Sequence, residues 1–404
     1  MSWIATPAIR PFGSVRIFAR LAAVSLAAAL TSACVGSMPG VGSLGAAPTP
    51  APAPEAPAIE AGKLRVGLIL PLTGGGNAAV AANSLKNAAD MAVAEFSNSN
   101  VALLVKDDRG APDGARDAAQ QALAEGAEVI VGPLFAPSVQ AAGQVARQAG
   151  KPVIAFSTDA GAASRGVYLL SFMPESEVDR IIEFAASKGK RSIAAMIPNT
   201  AYGTVVTAAF QEAAARRGVR VPALDRYNPD RASIEAAAKR IAALGDQADA
   251  LFVPDGGDGM GLVGAALAAN GVTGARMQLL GTGLWDDPRV FAAKGLQGGW
   301  FAAPDKAGFN NFAARYRARF GSDPTRIATL AYDAVFLVNA LNAKYGAQAF
   351  SEATLTNPDG IIGTDGLFRF RQDGVSQRGL AVLQVGAGSA SVISPAPRSF
   401  TPGA

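Results

Sequence analysis

Histidine is absent from the 404-residue chain, and cysteine occurs only once, as Cys34. The absence of histidine excludes a Ser-His-Asp triad, a Cys-His dyad and any histidine-ligated metal site within the chain. A single cysteine cannot form a disulfide inside one chain, so a packed core must stabilise the fold. Because 50% of the residues are hydrophobic, the chain is sufficient for one large or two medium domains. We expect a protein that is not an enzyme and that binds neither a metal nor a cofactor.

The first 33 residues have the layout of a secretory signal peptide. Three arginines and no acidic residue precede an apolar stretch at 21–30, which is too short to span a bilayer. Residues 30–34, Leu-Thr-Ser-Ala-Cys, resemble a lipobox, in which the cysteine is acylated and becomes the new N-terminus, although Thr31 stands where leucine is usual. The alternative is an ordinary signal peptide cleaved near Ala33. The pattern predicts lipidation of Cys34 and anchoring to a membrane on the periplasmic side of the cell envelope.

Charge is low outside this leader, and the segment after it has a biased composition. Loss of residues 1–33 would lower the net charge from +4 to +1, which gives no electrostatic basis for binding nucleic acid. Residues 34–62 consist largely of Gly, Ala, Ser and Pro, and their prolines favour an extended polyproline conformation. This composition indicates a tether, with disordered filler as the alternative.

From Lys63 onward, short β-branched runs alternate with alanine-rich amphipathic stretches. One helix is predicted from Pro112 to Gly126, because alanines at 115, 118, 119 and 122 form a single apolar stripe. Another is predicted from Glu175 to Gly189. Such alternation predicts an α/β fold of two doubly wound parallel-sheet lobes, with a ligand crevice at the carboxyl ends of the strands. The predicted strands are Leu64–Leu70, Val101–Lys106, Val129–Val131, Val153–Phe156, Ser192–Ile197, Ala250–Val253 and Met277–Leu280.

Several strand-end loops carry polar residues that face the predicted crevice. Thr73 follows the first strand, and Gly74, Gly76 and Ala79 fit a dinucleotide fingerprint only formally, because no acid follows in the right context. Ser138 lies near a helix N-terminus, where it either helps to hold a carboxylate or only caps backbone amides.

Acidic residues also follow two strands of the second half. Asp255 with Asp258, or Asp286 with Asp287, have the spacing of a paired-carboxylate or metal site. Acids at strand-to-helix junctions serve more often as helix caps and turn residues. We therefore interpret these four as structural acids, with Asp255 kept as a candidate ligand contact.

The order and spacing of these loops resemble the type I periplasmic-binding fold, and specifically the leucine-binding-protein family, from about Lys63 to Ser394. The likeness rests on six stretches: Val-Gly-Leu-Ile-Leu-Pro-Leu-Thr-Gly at 66–74, Lys-Asp-Asp at 106–108, Val-Ile-Val-Gly-Pro at 129–133, Pro-Val-Ile-Ala-Phe-Ser-Thr at 152–158, Ala-Tyr-Gly at 201–203 and Ala-Tyr-Asp-Ala-Val at 331–335. The resemblance implies a hinge of three crossovers. It places 63–172 and 304–350 in lobe 1, 173–303 and 351–394 in lobe 2, and leaves 395–404 as a disordered tail.

The resemblance also implies how a ligand would be held. Ser138, Ser157 and Thr158 match positions that bind a ligand carboxylate, and Tyr202 matches an aromatic residue of the second lobe. A ligand ammonium would meet an acid after a later strand, but residues 281–285, Gly-Thr-Gly-Leu-Trp, contain none. The predicted ligand-binding residues are Thr73, Ser138, Ser157, Thr158, Tyr202, Asp255, Thr282 and Trp285.

Two functions remain open. The first is a receptor that binds an amino acid or a related small polar ligand for an ABC permease. The second follows from residues 132–138, Gly-Pro-Leu-Phe-Ala-Pro-Ser, and 281–287, Gly-Thr-Gly-Leu-Trp-Asp-Asp, which resemble the penicillin-binding protein activators, outer-membrane lipoproteins that contact a peptidoglycan synthase. Because both functions use one fold, the fold cannot decide between them.

Overall fold

The computed structural model describes residues 62–96, 100–257 and 259–400. The predicted signal peptide, the predicted acylation site Cys34 and nearly all of the predicted tether therefore lie outside the described residues. The strands, in chain order, are β1 Leu64–Leu70, β2 Val101–Asp107, β3 Val129–Val131, β4 Val153–Ala155, β5 Val167–Leu169, β6 Ile193–Pro198, β7 Leu224–Tyr227, β8 Ala250–Phe252, β9 Gln278–Gly281, β10 Trp300–Ala303, β11 Ile361–Gly363, β12 Gly366–Phe370, β13 Ser376–Arg378, β14 Ala381–Val385 and β15 Ala390–Ser394.

The helices alternate with these strands over most of the chain. They are α1 Asn77–Glu95, α2 Pro112–Ala124, α3 Ala136–Gln148, α4 Pro174–Ser187, α5 Ala201–Arg216, α6 Arg231–Ala242, α7 Gly259–Ala269, α8 Pro288–Ala292, α9 Lys306–Phe320, α10 Ala328–Tyr345 and α11 Glu352–Leu355. The predicted strands and the two predicted helices are confirmed to within three residues at each end.

Two main sheets form the two lobes. The first has the order β2-β1-β3-β4-β5, with all neighbours parallel. The second has the order β15-β14-β10-β9-β8-β6-β7, in which β14 and β15 run antiparallel at one edge. A three-stranded antiparallel sheet, β11-β12-β13, completes the described part of the fold. The predicted α/β class with two doubly wound lobes is confirmed.

Helix α2 illustrates how the composition sets the packing. Its alanines at 115, 118, 119 and 122 are buried, as the stripe predicts. A Cβ placed at Gly67 of β1 would lie 2.8 Å from the Cβ of Ala122. Helix and sheet therefore approach as closely as they do because one side supplies alanine and the other glycine.

Three crossovers join the lobes. They follow β5, β10 and β13, at residues 170–173, 304–305 and 379–380. The carboxyl ends of the parallel strands in both sheets thus border the same cleft, since each crossover leaves its sheet at that edge.

The predicted membership of residues 351–394 in lobe 2 is wrong for residues 351–378. Leu355, Phe368 and Phe370 are buried in the core of the first sheet, where the Phe370 ring lies 5.3 Å from that of Tyr168. Only β14 and β15 belong to the second sheet. The sequence shows that these segments are strands, but their side-chain pattern fits either lobe.

Residues 395–400 are not the disordered tail that the sequence predicts. They leave β15 and return towards lobe 1, where the Phe400 ring packs 4.4 Å from the guanidinium carbon of Arg369 and 3.1 Å from the Cβ position of Gly360. On the way, Pro397 packs against Gly379 of the third crossover. This C-terminal strap, residues 395–400, therefore continues from lobe 2 and joins lobe 1 by side-chain packing alone. Residues 401–404 lie outside the described residues.

We predict that Phe400→Ala lowers the free energy of unfolding by about 1–2 kcal/mol, from the lost cation–π contact and the apolar area exposed. Chemical denaturation would measure this loss. Val392→Ala is the matched control, because Val392 is 45% exposed on β15 and should change stability by less than about 0.5 kcal/mol. Equal stability of Phe400→Ala and the wild type would contradict the conclusion that the strap holds the two lobes together.

Candidate functional site

A cavity of about 360 Å³ opens between the two lobes. Residues from both lobes and from the first two crossovers form its wall, so its shape depends on how the lobes are set at the hinge. Its lining residues are Thr158, Phe172, Pro174, Glu177, Tyr202, Gly283, Leu284, Asp286, Ala303, Pro304 and Arg326.

Thr158 and Tyr202 of the predicted ligand-binding set lie at this cavity. Thr158 is exposed on the lobe 1 side, directly after β4. Tyr202 stands in the first turn of α5, where Thr200 caps the helix by accepting a hydrogen bond from the Gly203 N–H. The hydroxyl groups of Tyr202 and Thr282 are 2.9 Å apart, and burial raises the pKa of Tyr202. Thr282 is itself fully buried, so it fixes the direction of the tyrosine from beneath.

Glu177, in the first turn of α4, is a cavity residue that the sequence interpretation missed. Its Oε2 accepts a hydrogen bond of 2.9 Å from the N–H of Gly283, in the loop that lacks its own acid. Burial raises the pKa of Glu177 to about 8, against the lowering effects of the Gly283 hydrogen bond and of the positive charge of Arg326. The acid expected beside this loop is therefore supplied by another element, 106 residues away along the chain.

Arg326 provides a positive charge on the lobe 1 side of the cavity. Its guanidinium carbon lies 4.5 Å from the ring centre of Phe172 and 4.7 Å from that of Phe309. Its Nη2 lies 2.7 Å from Oδ1 of Asp365, whose side chain is fully buried, whereas the Arg326 side chain is 40% exposed. The guanidinium is thus held flat between two rings and by one carboxylate, with the rest of its edge open to solvent.

Another ion pair lies beside the second crossover. Lys306 Nζ lies 2.5 Å from Asp286 Oδ1 and 5.1 Å from the ring centre of Phe291. Asp286 therefore has a basic partner, whereas no ion pair to Glu177 is present among the described residues. Glu177 is the acidic group of the cavity that a positively charged ligand would meet.

Three predicted ligand contacts on lobe 1 are engaged away from the cavity. The hydroxyl of Thr73 donates to Oδ2 of Asp107 at 2.5 Å, and Ser157 accepts a hydrogen bond from the Asp159 N–H at 3.1 Å. Ser138 is fully buried beside Asp108. Burial raises the pKa of Asp108, although the Gly110 N–H and the Ser138 hydroxyl both act to lower it. The structure does not bring these three side chains into the cavity wall.

The prediction that Trp285 contacts a ligand is wrong. Its side chain is 0% exposed in the lobe 2 core, and its Nε1 donates to the carbonyl of Val253 at 3.0 Å. A Cβ added at Gly281 or Gly299 would overlap the indole ring, so these glycines make room for it. An aromatic residue after a strand can either contact a ligand or fill the core. Only the space that Gly281 and Gly299 leave for the ring shows that Trp285 fills the core.

The acidic residues after the second-lobe strands have structural partners. Asp255 accepts hydrogen bonds from the Tyr227 hydroxyl and from the Gly256 N–H, and it does not line the cavity, contrary to its prediction as a ligand contact. Asp287 caps α8 through the Arg289 N–H. Asp258 lies outside the described residues. Within 62–96, 100–257 and 259–400, no cluster of three or more acidic, histidine or cysteine side chains is arranged to hold a metal ion.

Comparisons with known proteins agree with this geometry. The family model for periplasmic binding proteins matches residues 63–390. No curated protein sequence matches the chain. None of the helices in the described part of the chain is both long enough and apolar enough to cross a membrane.

Solved structures of low sequence identity share the fold. A Rhodospirillum rubrum protein described as a branched-chain amino acid ABC transporter is 22% identical, with a TM-score of 0.71 over 82% of this chain and 100% of its own. A solute binding protein of Rhodopseudomonas palustris BisB5, in complex with 3,4-dihydroxybenzoic acid, is 22% identical, with a TM-score of 0.58 over 84% and 99%. The leucine binding protein LivK of Thermotoga maritima is 17% identical, with a TM-score of 0.56 over 82% and 98%.

Proposed function

Because the chain belongs to the periplasmic binding protein family, we propose that it is an extracytoplasmic, non-catalytic receptor that binds a small amino-acid-like ligand for an ABC permease. The observation that carries this proposal is that an acidic side chain, Glu177, and a basic side chain, Arg326, both line the cavity. Glu177 and Arg326 are close enough for Arg326 to affect the pKa of Glu177, yet no ion pair joins them in the described structure. The space between them suits a ligand with an ammonium and a carboxylate group.

Arg326 and Glu177 differ in their surroundings before a ligand binds. The guanidinium of Arg326 is held in place by its ion pair with Asp365. Glu177 has a raised pKa of about 8, so without a ligand it holds a proton at neutral pH. An ammonium group can replace that proton, because a nearby positive charge favours the ionised carboxylate. Binding of such a ligand would therefore release a proton.

We predict that an amino-acid ligand found by thermal-shift screening releases close to one proton on binding at pH 7, and that its affinity rises with pH up to about 8. Calorimetry in buffers of different ionisation enthalpy would count the proton. Glu177→Gln should weaken binding by roughly 30-fold, or about 2 kcal/mol, and abolish the proton release.

Glu183→Gln is the matched control for this measurement. Glu183 lies on the same helix, is 54% exposed and pairs with Arg180, so its replacement should leave affinity unchanged. Benzoate is a second control, because it has a carboxylate but no ammonium and its binding should not depend on Glu177. Amino-acid binding that is equal in Glu177→Gln and the wild type would overturn the role of Glu177. The absence of any stabilising ligand would count against the receptor function itself.

Anchoring through Cys34 is a separate part of the proposal, supported by the lipobox-like residues 30–34. We predict that Cys34→Ser moves the protein from the membrane fraction to the soluble fraction and abolishes labelling by a fatty acid. Ser37→Ala, three residues further on, should leave both unchanged. A Cys34→Ser protein that remains in the membrane fraction would favour an unlipidated leader.

Activation of a peptidoglycan synthase is the second candidate, and one observation favours it. Phe135 and Leu284, which are 38% and 44% exposed, lie in the two stretches that resemble the activators, and each follows a strand at the edge bordering the cleft. Exposed apolar side chains on both lobes are suited to protein contact.

If this second function holds, Phe135→Ser should weaken binding of a purified synthase by about tenfold, which corresponds to roughly 1.4 kcal/mol for one lost apolar contact. Surface plasmon resonance would measure the change. Ile362→Ser is the control, since Ile362 is 65% exposed on β11 and lies outside these stretches. A synthase that does not bind the wild type, or that binds the wild type and Phe135→Ser equally well, would exclude this surface.

A further inference from the structure

Five side chains from four parts of the chain form an arginine–phenylalanine stack beside the cavity: Phe309, Arg326, Phe172, Arg378 and Phe368. The guanidinium of Arg326 contacts Phe309 and Phe172. That of Arg378 lies 4.7 Å from the ring centre of Phe172 and 5.4 Å from that of Phe368. Phe172 is therefore shared by both arginines, one at the cavity and one in the core.

We propose that Arg378 is a positioning residue that, through the ring of Phe172, holds the guanidinium of Arg326 at the cavity wall. The inference rests on the proposed function only in assuming that Arg326 contacts a ligand. The stack itself is a property of the protein without a ligand, so it can be tested separately.

The bonding of Arg378 is unusual for a buried arginine. Its side chain is 5% exposed, and its Nε donates to the carbonyl of Ser171 at 3.0 Å. Among the described residues, Nη1 and Nη2 have no hydrogen-bond partner. Burial of a guanidinium without an ion pair is costly, so this residue contributes through its planar faces and Nε rather than through a salt bridge. Both of these contacts lead to the first crossover, at Ser171 and Phe172.

Phe172 packs against the core of the first sheet, and two guanidinium groups contact its ring. Ser171, the residue before it, is held by Arg378 and by Ser376, whose hydroxyl lies 3.4 Å from both the Ser171 N and O atoms. The ring itself lines the cavity, where solvent leaves one side open. Loss of the Arg378 side chain would remove both the hydrogen bond to the Ser171 carbonyl and the contact with the Phe172 ring. The ring would then lose part of the support that keeps it against Arg326.

The arrangement joins the hinge to the cavity. Arg378 ends β13 at the third crossover, Phe172 lies in the first, and Arg326 stands between α9 and α10 of lobe 1. A shift of the third crossover against the first would change the contact between Arg378 and the ring of Phe172. The orientation of Arg326, which contacts Phe172 of the first crossover, therefore depends on how the two lobes are set.

The test uses the Nε–Hε signals of arginine in ¹H–¹⁵N spectra of the full chain, without ligand. A proton above an aromatic ring is shifted upfield, so Arg326, which lies over two rings, should give a displaced signal that Arg326→Lys removes and thereby assigns. In Arg378→Lys, which keeps the charge but loses the planar group and the Nε bond, the Arg326 signal should lose part of this displacement. Arg369→Lys is the control, because Arg369 stacks on Phe400 instead.

A second variant covers the case in which Arg378→Lys does not fold. Phe368→Leu keeps similar volume in the core, leaves Phe172 and Arg326 unaltered, and removes one ring from Arg378. It should move the Arg326 signal in the same direction by a smaller amount. An Arg326 signal that is unchanged in the folded variant, or that Arg369→Lys moves equally, would overturn the proposal. Failure of ligand binding would leave this result intact, so the two proposals can fail separately.

Discussion

The hydrogen bonds between the chain segments that lead into the first and third crossovers are the constraint on which the cleft depends. Leu169, at the end of β5, donates its N–H to Gly374 O at 2.8 Å, and Arg378, at the end of β13, donates its Nε to Ser171 O of the first crossover at 3.0 Å. Arg180 of α4 then ties the third crossover to lobe 2 through the carbonyl of Leu380. Because the chain passes three times through one place, the carboxyl ends of both sheets are kept facing each other, and loops distant in sequence meet in the cleft.

Local pattern explains why so much of the fold is predictable from the sequence. The strands of lobe 1 are short apolar runs with clear turn residues, and α2 shows a stripe of alanine that fits only a close helix–sheet contact. Tyr202 and Thr158 are predictable as cavity residues because each lies within four residues of the carboxyl end of a parallel strand. These features depend on neighbours within about a dozen residues, which the sequence displays.

Features decided by distant partners are not predictable in this way. Glu177 is an ordinary acid in the first turn of a helix, and only the fold brings it to Gly283. Trp285 resembles a ligand contact until Gly281 and Gly299 are seen to leave space for its ring in the core. Residues 361–378 have the pattern of strands, but nothing local states which sheet they cover. In each case the missing information is a contact between residues far apart in the chain.

The charges of the cavity explain how a chain without histidine can still respond to pH near neutrality. Asp286 forms an ion pair with Lys306, and Arg326 forms one with Asp365. Glu177 alone depends on a backbone N–H and a more distant positive charge, and burial raises its pKa to about 8. The empty cavity is therefore close to neutral because Glu177 binds a proton. In the proposed function, a ligand ammonium would take the place of that proton. The cleft would then distinguish a cationic group from a neutral one by burial rather than by a permanent negative charge.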